Sequence, residues 1–133
     1  LTRVSTDSLP RLFIRVQVVY SSMKTIHRFL LAAGFVVLSG ILSLLAAPSL
    51  PAELVTNWDA AGNPNGTMQK TLALWLTPAL MAGILGLFAV IPRIDPLRQN
   101  IAEFRPYYDW FVVIFTAYML VVHAGVVAFN LGY

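Results

Sequence analysis

Apolar positions along the chain gather into three long runs, and polar ones into the segments between them. The first run is Phe29 to Ala47, the second Leu72 to Ile91 and the third Trp110 to Leu131. Each is close to the ~20 residues a helix needs to cross a hydrocarbon core, and none contains Asp, Glu, Lys or Arg. Lipid offers the backbone no hydrogen-bond partners, so each run is predicted to be helical. The expected fold is all-α and integral to a membrane. It has three transmembrane helices over residues 29–133, an outer loop at 48–71 and an inner loop at 92–109.

The loops carry their own patterns. Pro48 and Pro51 close the first run, and "NPNG" at 63–66 combines Asn-Pro with Asn-Gly, which predicts a turn in an irregular segment. Trp58 suits a membrane interface. Asn65-Gly66-Thr67 matches the N-glycosylation acceptor pattern. In the second loop Asp95 is a good N-cap and Pro96 suits a first helical position. Leu97, Ile101 and Phe104 would then share one face, which predicts a short interfacial helix on the cytoplasmic side. Arg93, Arg98 and Arg105 stand within reach of lipid phosphates, and Tyr107, Tyr108 and Trp110 form an aromatic belt.

Composition agrees with a membrane protein. Of 133 residues, 58% are hydrophobic and 11% charged, with a mean hydropathy of +0.73, too little charge to coat a soluble domain of this length. The absence of cysteine excludes disulfides, thiolate metal sites and thiol catalysis. The net charge of +3 does not point to nucleic acid, because the basic residues flank apolar runs instead of forming a patch with interleaved aromatics.

Charge placement gives an orientation. Arg3, Arg11, Arg15, Lys24 and Arg28 precede the first run, only Lys70 lies in the first loop, and Arg93, Arg98 and Arg105 lie in the second. The positive-inside bias predicts a cytoplasmic N-terminus, an extracytoplasmic first loop and an extracytoplasmic C-terminus in a cell membrane. Residues 1–28 read as a cytoplasmic tail. Met23 opens a segment that resembles a natural start, so 1–22 read either as part of that tail or as an upstream extension. The stretch "RLFIRVQVVYSS" is apolar enough to lie on a membrane surface. A signal peptide is disfavoured by the length of the first run and by Leu45 at a position that cleavage keeps small.

Inside the spans, Thr116, His123 and Asn130 recur every seven residues. They fall nearly on one stripe, drifting ~20° per step. Such a stripe should face other helices or water. Interhelical hydrogen bonding, worth about 0.6 kcal/mol per bond, is the simpler reading, and a proton or ligand site the sharper one. Ser39 and Ser43 share a face of the first span and are candidate partners. Ala79 with Gly83, and Ala82 with Gly86, are small-xxx-small pairs that would admit a close helix. Pro78 is expected to kink the second span. No nucleophile–base set, phosphate-binding glycine loop or metal-ligand cluster is legible, so no enzyme activity, metal or other cofactor is expected.

The polar loops also carry a resemblance. "LPAELVTNWDAAGNPNGTMQK" resembles the signature of the domain of unknown function 1648, with matches at Leu50, Pro51, Trp58, Asp59, Gly62, Pro64, Gly66 and Lys70. Asn57 stands where that family usually has His, and Asn65 where Asp is common. "IPRIDP", residues 91–96, is similar to its second signature. In many relatives this domain forms the first half of a longer protein similar to the SdpI-type immunity proteins, which protect a cell from a secreted antimicrobial peptide and can hold a repressor at the membrane. The resemblance, spanning roughly residues 40–133, implies a peptide toxin recognised at Asn57, Trp58, Asp59, Gly62, Pro64, Gly66 and Lys70. It also implies a response face at Arg93, Asp95, Pro96 and Arg98. The alternative is a structural or assembly subunit that packs with another membrane protein, with a separately encoded second half or with its own copy.

Overall fold

The computed structural model describes residues 8–94, 96 and 103–133. Three helices run up, down and up: α1 (Ser8–Ala46), α2 (Lys70–Ile94) and α3 (Arg105–Leu131). All three contain segments long and apolar enough to cross a membrane, Met23–Ser49, Lys70–Ile94 and Arg105–Leu131. At 1.5 Å per residue, 25 to 27 residues reach about 38–40 Å, enough for the hydrocarbon core and part of each headgroup layer. Only 17–28% of each segment's most apolar window is buried within the protein, so most of this apolar surface needs lipid as its solvent. Leu45, Ile114 and Val121 all point outward.

Two expectations about helix limits change. Residues 11–22 belong to α1, which therefore begins well before the first apolar run. Pro78 and Pro92 both lie inside α2, which runs on to Ile94. Pro78 is buried against the bundle, where neighbouring helices can accommodate the lost backbone bond. Most of the predicted interfacial helix, Asp95 and Arg98 included, lies outside the described residues.

The larger correction is that the chain is not all-α. The segment expected to be an irregular loop holds a 3₁₀ turn (Ala47–Ser49) and an antiparallel hairpin of β1 (Glu53–Trp58) and β2 (Pro64–Gln69). Val55 and Thr56 are β-branched and Trp58 aromatic, which suits a pleated, half-buried strand. Strand pairing slips twice: Thr56 and Asn65 are the extra residues between the pairs Val55–Thr67, Asn57–Gly66 and Trp58–Pro64. Pro64 takes the first position of its strand, where a missing N–H is tolerated.

Two apolar clusters stabilise the bundle. Near the hairpin, Ala46, Leu50, Leu54, Ala73, Leu74 and Val127 pack together, with Met68 against them. At the opposite end Ala32, Val112 and Val113 are buried, with Phe29, Phe88 and Tyr108 alongside. Phe88 of α2 meets Tyr108, Phe111 and Phe115 of α3 edge-on, with centroids 5.7–6.1 Å apart.

Candidate functional site: the hairpin and its seat

A two-stranded hairpin alone is marginal in water and needs something to pack on. Here it has a seat of three parts. Leu54 is fully buried in the cluster between the helix ends. Trp58 meets Phe129 of α3 in an edge-to-face contact, centroids 5.1 Å apart. Asn130, the last residue but one of α3, holds the backbone of Val55 at two points. Its Oδ1 accepts from Val55 N–H at 2.8 Å, and its Nδ2 donates to Val55 C=O at 2.9 Å. The amide thus acts as a one-residue neighbouring strand and covers part of the free edge of β1. Nδ2 also donates to Val126 C=O at 2.8 Å, which fixes its rotamer.

The turn lies upstream of the predicted one. Asn65 and Gly66 sit within β2, and the reversal is made by residues 59–63. Asp59 organises it. Its Oδ1 accepts from the N–H groups of Ala61 and Asn63 at 2.9 and 2.8 Å, and Oδ2 accepts from Asn63 Nδ2. Backbone bonds join Asp59 N–H to Asn63 C=O and Gly62 N–H to Asp59 C=O. Gly62 adopts φ +84°, the left-handed conformation glycine occupies without a Cβ clash. The donors from Asn63, backbone first and then side chain, with smaller help from Ala61 and Gly62, hold the fully exposed Asp59 carboxyl below the usual carboxylate range.

Gly66 has another reason. A Cβ there would stand 2.9 Å from Asn57 Nδ2 and 3.2 Å from its Cβ, so a glycine lets the Asn57 side chain lie across the partner strand. Lys70, expected in a binding set, also works as a staple. Its Nζ donates to the carbonyls of Ala47 and Leu50 at 3.2 and 3.0 Å, satisfying carbonyls where α1 has ended. Its own N–H donates to Ala52 C=O. Of the seven loop residues, Asn57, Asp59, Gly62 and Pro64 are exposed; Trp58, Gly66 and Lys70 are half-buried in the hairpin and its seat. Thr56, the extra residue of the first bulge, has its Oγ1 buried with no hydrogen-bond partner.

Below the hairpin the polar stripe of α3 divides into three different contacts. Asn130 serves the hairpin, as described. His123, nearly fully buried, meets Ser43 of α1 with Nε2 2.8 Å from Oγ. Thr116 turns back on its own helix, donating toward the carbonyls of Val112 and Val113. The Ser43–His123 pair is a hydroxyl beside an imidazole, a combination that can activate a nucleophile. Here the proton points the wrong way. Ser43 Oγ lies 2.7 Å from Leu74 C=O of α2 and 3.2 Å from Ser39 C=O, and it has one proton to give. The closer carbonyl takes it, which leaves Oγ to accept from His123 Nε2–H. Ser43 is 1% exposed, enclosed between the helices. The triad Ser43, Leu74 and His123 is a polar tie joining all three helices.

A second polar knot, which the sequence did not reveal, closes the opposite end. Asp109 is buried, its side chain 0% exposed. It accepts from Thr25 Oγ1 at 2.6 Å and from Arg105 Nε at 2.8 Å, and Arg28 approaches to 3.6 Å. Arg28 also stacks over Trp110. Tyr108 donates to Phe88 C=O at 2.7 Å. The signal available was the spacing of Arg105 and Asp109, one turn apart, with Arg28 set just before the first apolar run. Of the predicted response face, Arg93 and Pro96 are exposed, and Arg93 donates to Ala89 C=O. Among the described residues no group of three His, Asp or Glu side chains is placed to hold a metal.

No curated protein and no solved structure matches the chain. One family does match in part. The matched segment holds the hairpin, its turn, Lys70 and the Ser43 half of the buried tie, and it stops before Ile91–Pro96, where the second signature was read. Residues 34–82 match the family model of a domain of unknown function, DUF1648.

Proposed function

We propose that the chain is a membrane-embedded recognition module that meets a secreted antimicrobial peptide at its hairpin, in the manner of the N-terminal half of SdpI-type immunity and signalling proteins. The observation that carries this reading is the clamped hairpin. Asn130, Leu54 and Trp58 fix its base, while Asn57, Asp59, Asn63 and Asn65 stay exposed on its far part. A surface ordered before binding avoids much of the entropy cost of association. The charge bias of the flanking segments supports an extracytoplasmic hairpin and a cytoplasmic N-terminus. A response would pass along α3, from Asn130 at the hairpin to the Asp109 knot and the Arg93 face. The test is photocrosslinking: a photoreactive residue at Asn65 is expected to capture such a peptide, and one at Tyr118, on the lipid-facing side of α3, is not. Equal capture at both positions, or none at Asn65, refutes the reading.

A second reading, an assembly subunit without its own ligand, is favoured by one observation. Ala79, Ala82, Gly83 and Gly86 do not face α1 or α3; they are exposed on α2, with open space where a Cβ on either glycine would lie. A partner helix fits closely against such a face. Gly83→Ile would weaken self-association or partner capture under that reading and leave peptide capture at Asn65 unchanged.

A further inference from the structure

A cavity of about 360 Å³ opens between α1 and α2 at the end far from the hairpin. That is within the ~300–1,000 Å³ range of ligand sites, at its small end. Its lining is graded along the helix axes. Thr25, Arg93 and Arg105 stand at the mouth; Phe29, Ala33 and Leu85 line the depth. From Arg93 to Leu85 is eight residues of helix, about 12 Å. The polar end therefore lies at the level where the apolar runs stop, and the apolar end lies toward the middle of the spans. Ile26 and Leu30, 54% and 63% exposed, leave the groove open sideways to lipid.

The mouth is positively charged. Asp109 is the carboxylate of the knot, and Arg28, Arg93 and Arg105 lie at that end of the bundle. Arg28 and Arg105 pair with Asp109, whereas Arg93 donates to a backbone carbonyl. Within this group three guanidiniums meet one carboxylate, a surplus of two positive charges; Lys24 and Glu103, next to it in the chain, add one charge of each sign. A guanidinium has five N–H donors, and the contacts to Asp109 and Ala89 use only part of those on Arg105 and Arg93. Forked donors of this kind suit a phosphate. An apolar slot parallel to the helices with a cationic mouth at the interface is complementary to an amphiphile with an anionic head. A free phosphate would leave the slot unfilled, and a zwitterionic lipid would gain less from the mouth.

We propose that this groove is a specific site for an anionic phospholipid, one acyl chain lying between α1 and α2 and the phosphate held by Arg93 and Arg105. The site is independent of any peptide at the hairpin. The test uses the full chain in nanodiscs of equal parts phosphatidylcholine and phosphatidylglycerol, released into the gas phase for native mass spectrometry. The expected result is one retained phosphatidylglycerol per chain, preferred roughly tenfold over phosphatidylcholine. Arg93→Gln should bring the preference near parity, and Ala33→Phe, which fills the slot, should remove the retained lipid. Equal retention of the two lipids by the unaltered chain overturns the proposal, whatever the variants do. So does a preference that survives both substitutions, or displacement of the lipid by millimolar glycerol phosphate, since the chain-binding slot would then contribute nothing.

Discussion

Asn130→Ala removes the two-point clamp on Val55 and little else. The lost bonds are those to Val55 N–H and C=O, at 2.8 and 2.9 Å, each worth about 1 kcal/mol. The bonds at the base of the hairpin are only part-buried, so water reaches the freed groups in part, the added desolvation penalty is below its buried maximum, and the sum is about 2–3 kcal/mol. The third bond, to Val126 C=O, costs less, because that carbonyl already lies within α3. Leu54 stays in its apolar cluster and Trp58 stays on Phe129, so the hairpin loosens without leaving. Hydrogen exchange read by NMR in nanodiscs measures this directly. At 1.4 kcal/mol per tenfold, the Val55 amide should exchange roughly 30- to 150-fold faster, while amides near His123 in mid-helix stay unchanged. Asn130→Asp should fall between, since it keeps the acceptor for Val55 N–H and loses the donor to Val55 C=O. Val55 exchange within about twofold of the unaltered chain in Asn130→Ala would refute the clamp.

Four further outcomes follow from named contacts. Lys70→Met, which deletes a charged donor from two carbonyls, should destabilise the junction of α1 and α2 by about 1.5–3 kcal/mol, seen as earlier thermal unfolding in detergent. The turn at 59–63 should keep its order from neutral pH to about 5 and loosen as pH falls below about 4: the folded carboxyl of Asp59 sits below its unfolded value, so its contribution is present above the unfolded pKa and disappears as pH drops through the folded one; Gly62 amide shifts should follow this course, and Asp59→Asn should flatten it. Asp109→Ala should cost about 1–3 kcal/mol, less than breaking a fully buried pair, because Arg28 and Arg105 are 19% and 28% exposed and can reach water, and denaturant unfolding in micelles measures it. A double-mutant cycle on Ser43→Ala and His123→Leu should give a coupling of about 0.6 kcal/mol and no more than about 1.7, the range for hydrogen bonds between membrane helices; a much larger value would mean that the imidazole carries charge in that pair.

The helices were legible because membrane burial writes its demand into composition: runs without charge, flanked by arginine. The hairpin was not, and β2 is the reason. Pro64, Asn65 and Gly66 are poor strand formers, and Asn-Pro-Asn-Gly carries the strongest turn signal in the segment. Those residues are in β2 because partners outside it hold them there. Leu54 anchors the opposite strand in the helix core, Asn130 clamps Val55, and Gly66 makes room for Asn57. The true turn had its own signal in Asp59 and Gly62, whose side chain and left-handed φ make the reversal. Lys70 entered the binding set through its match to the loop signature, and the sequence held no sign of the structural task that its distances to Ala47 and Leu50 also give it. The stripe of Thr116, His123 and Asn130 was visible as a period. The period could not tell that its three members face a helix's own backbone, a serine and a hairpin. Asp109 hid in an aromatic-rich segment where a carboxylate looks solvated, and only the fold brings Arg28 and Thr25 to it.

Whether the hairpin is a recognition surface is tested most directly by survival. A sensitive host expressing the chain, with insertion verified, would be challenged with the secreted peptide that an SdpI-type protein counters, beside a strain carrying Asp59→Ala and Gly62→Ala. Those changes disorder the turn and leave the seat of Leu54, Trp58 and Asn130 in place. Protection by the unaltered chain that disappears with the turn is the expected result. Protection that persists in the altered strain, or no protection from a correctly inserted chain, contradicts recognition at the hairpin.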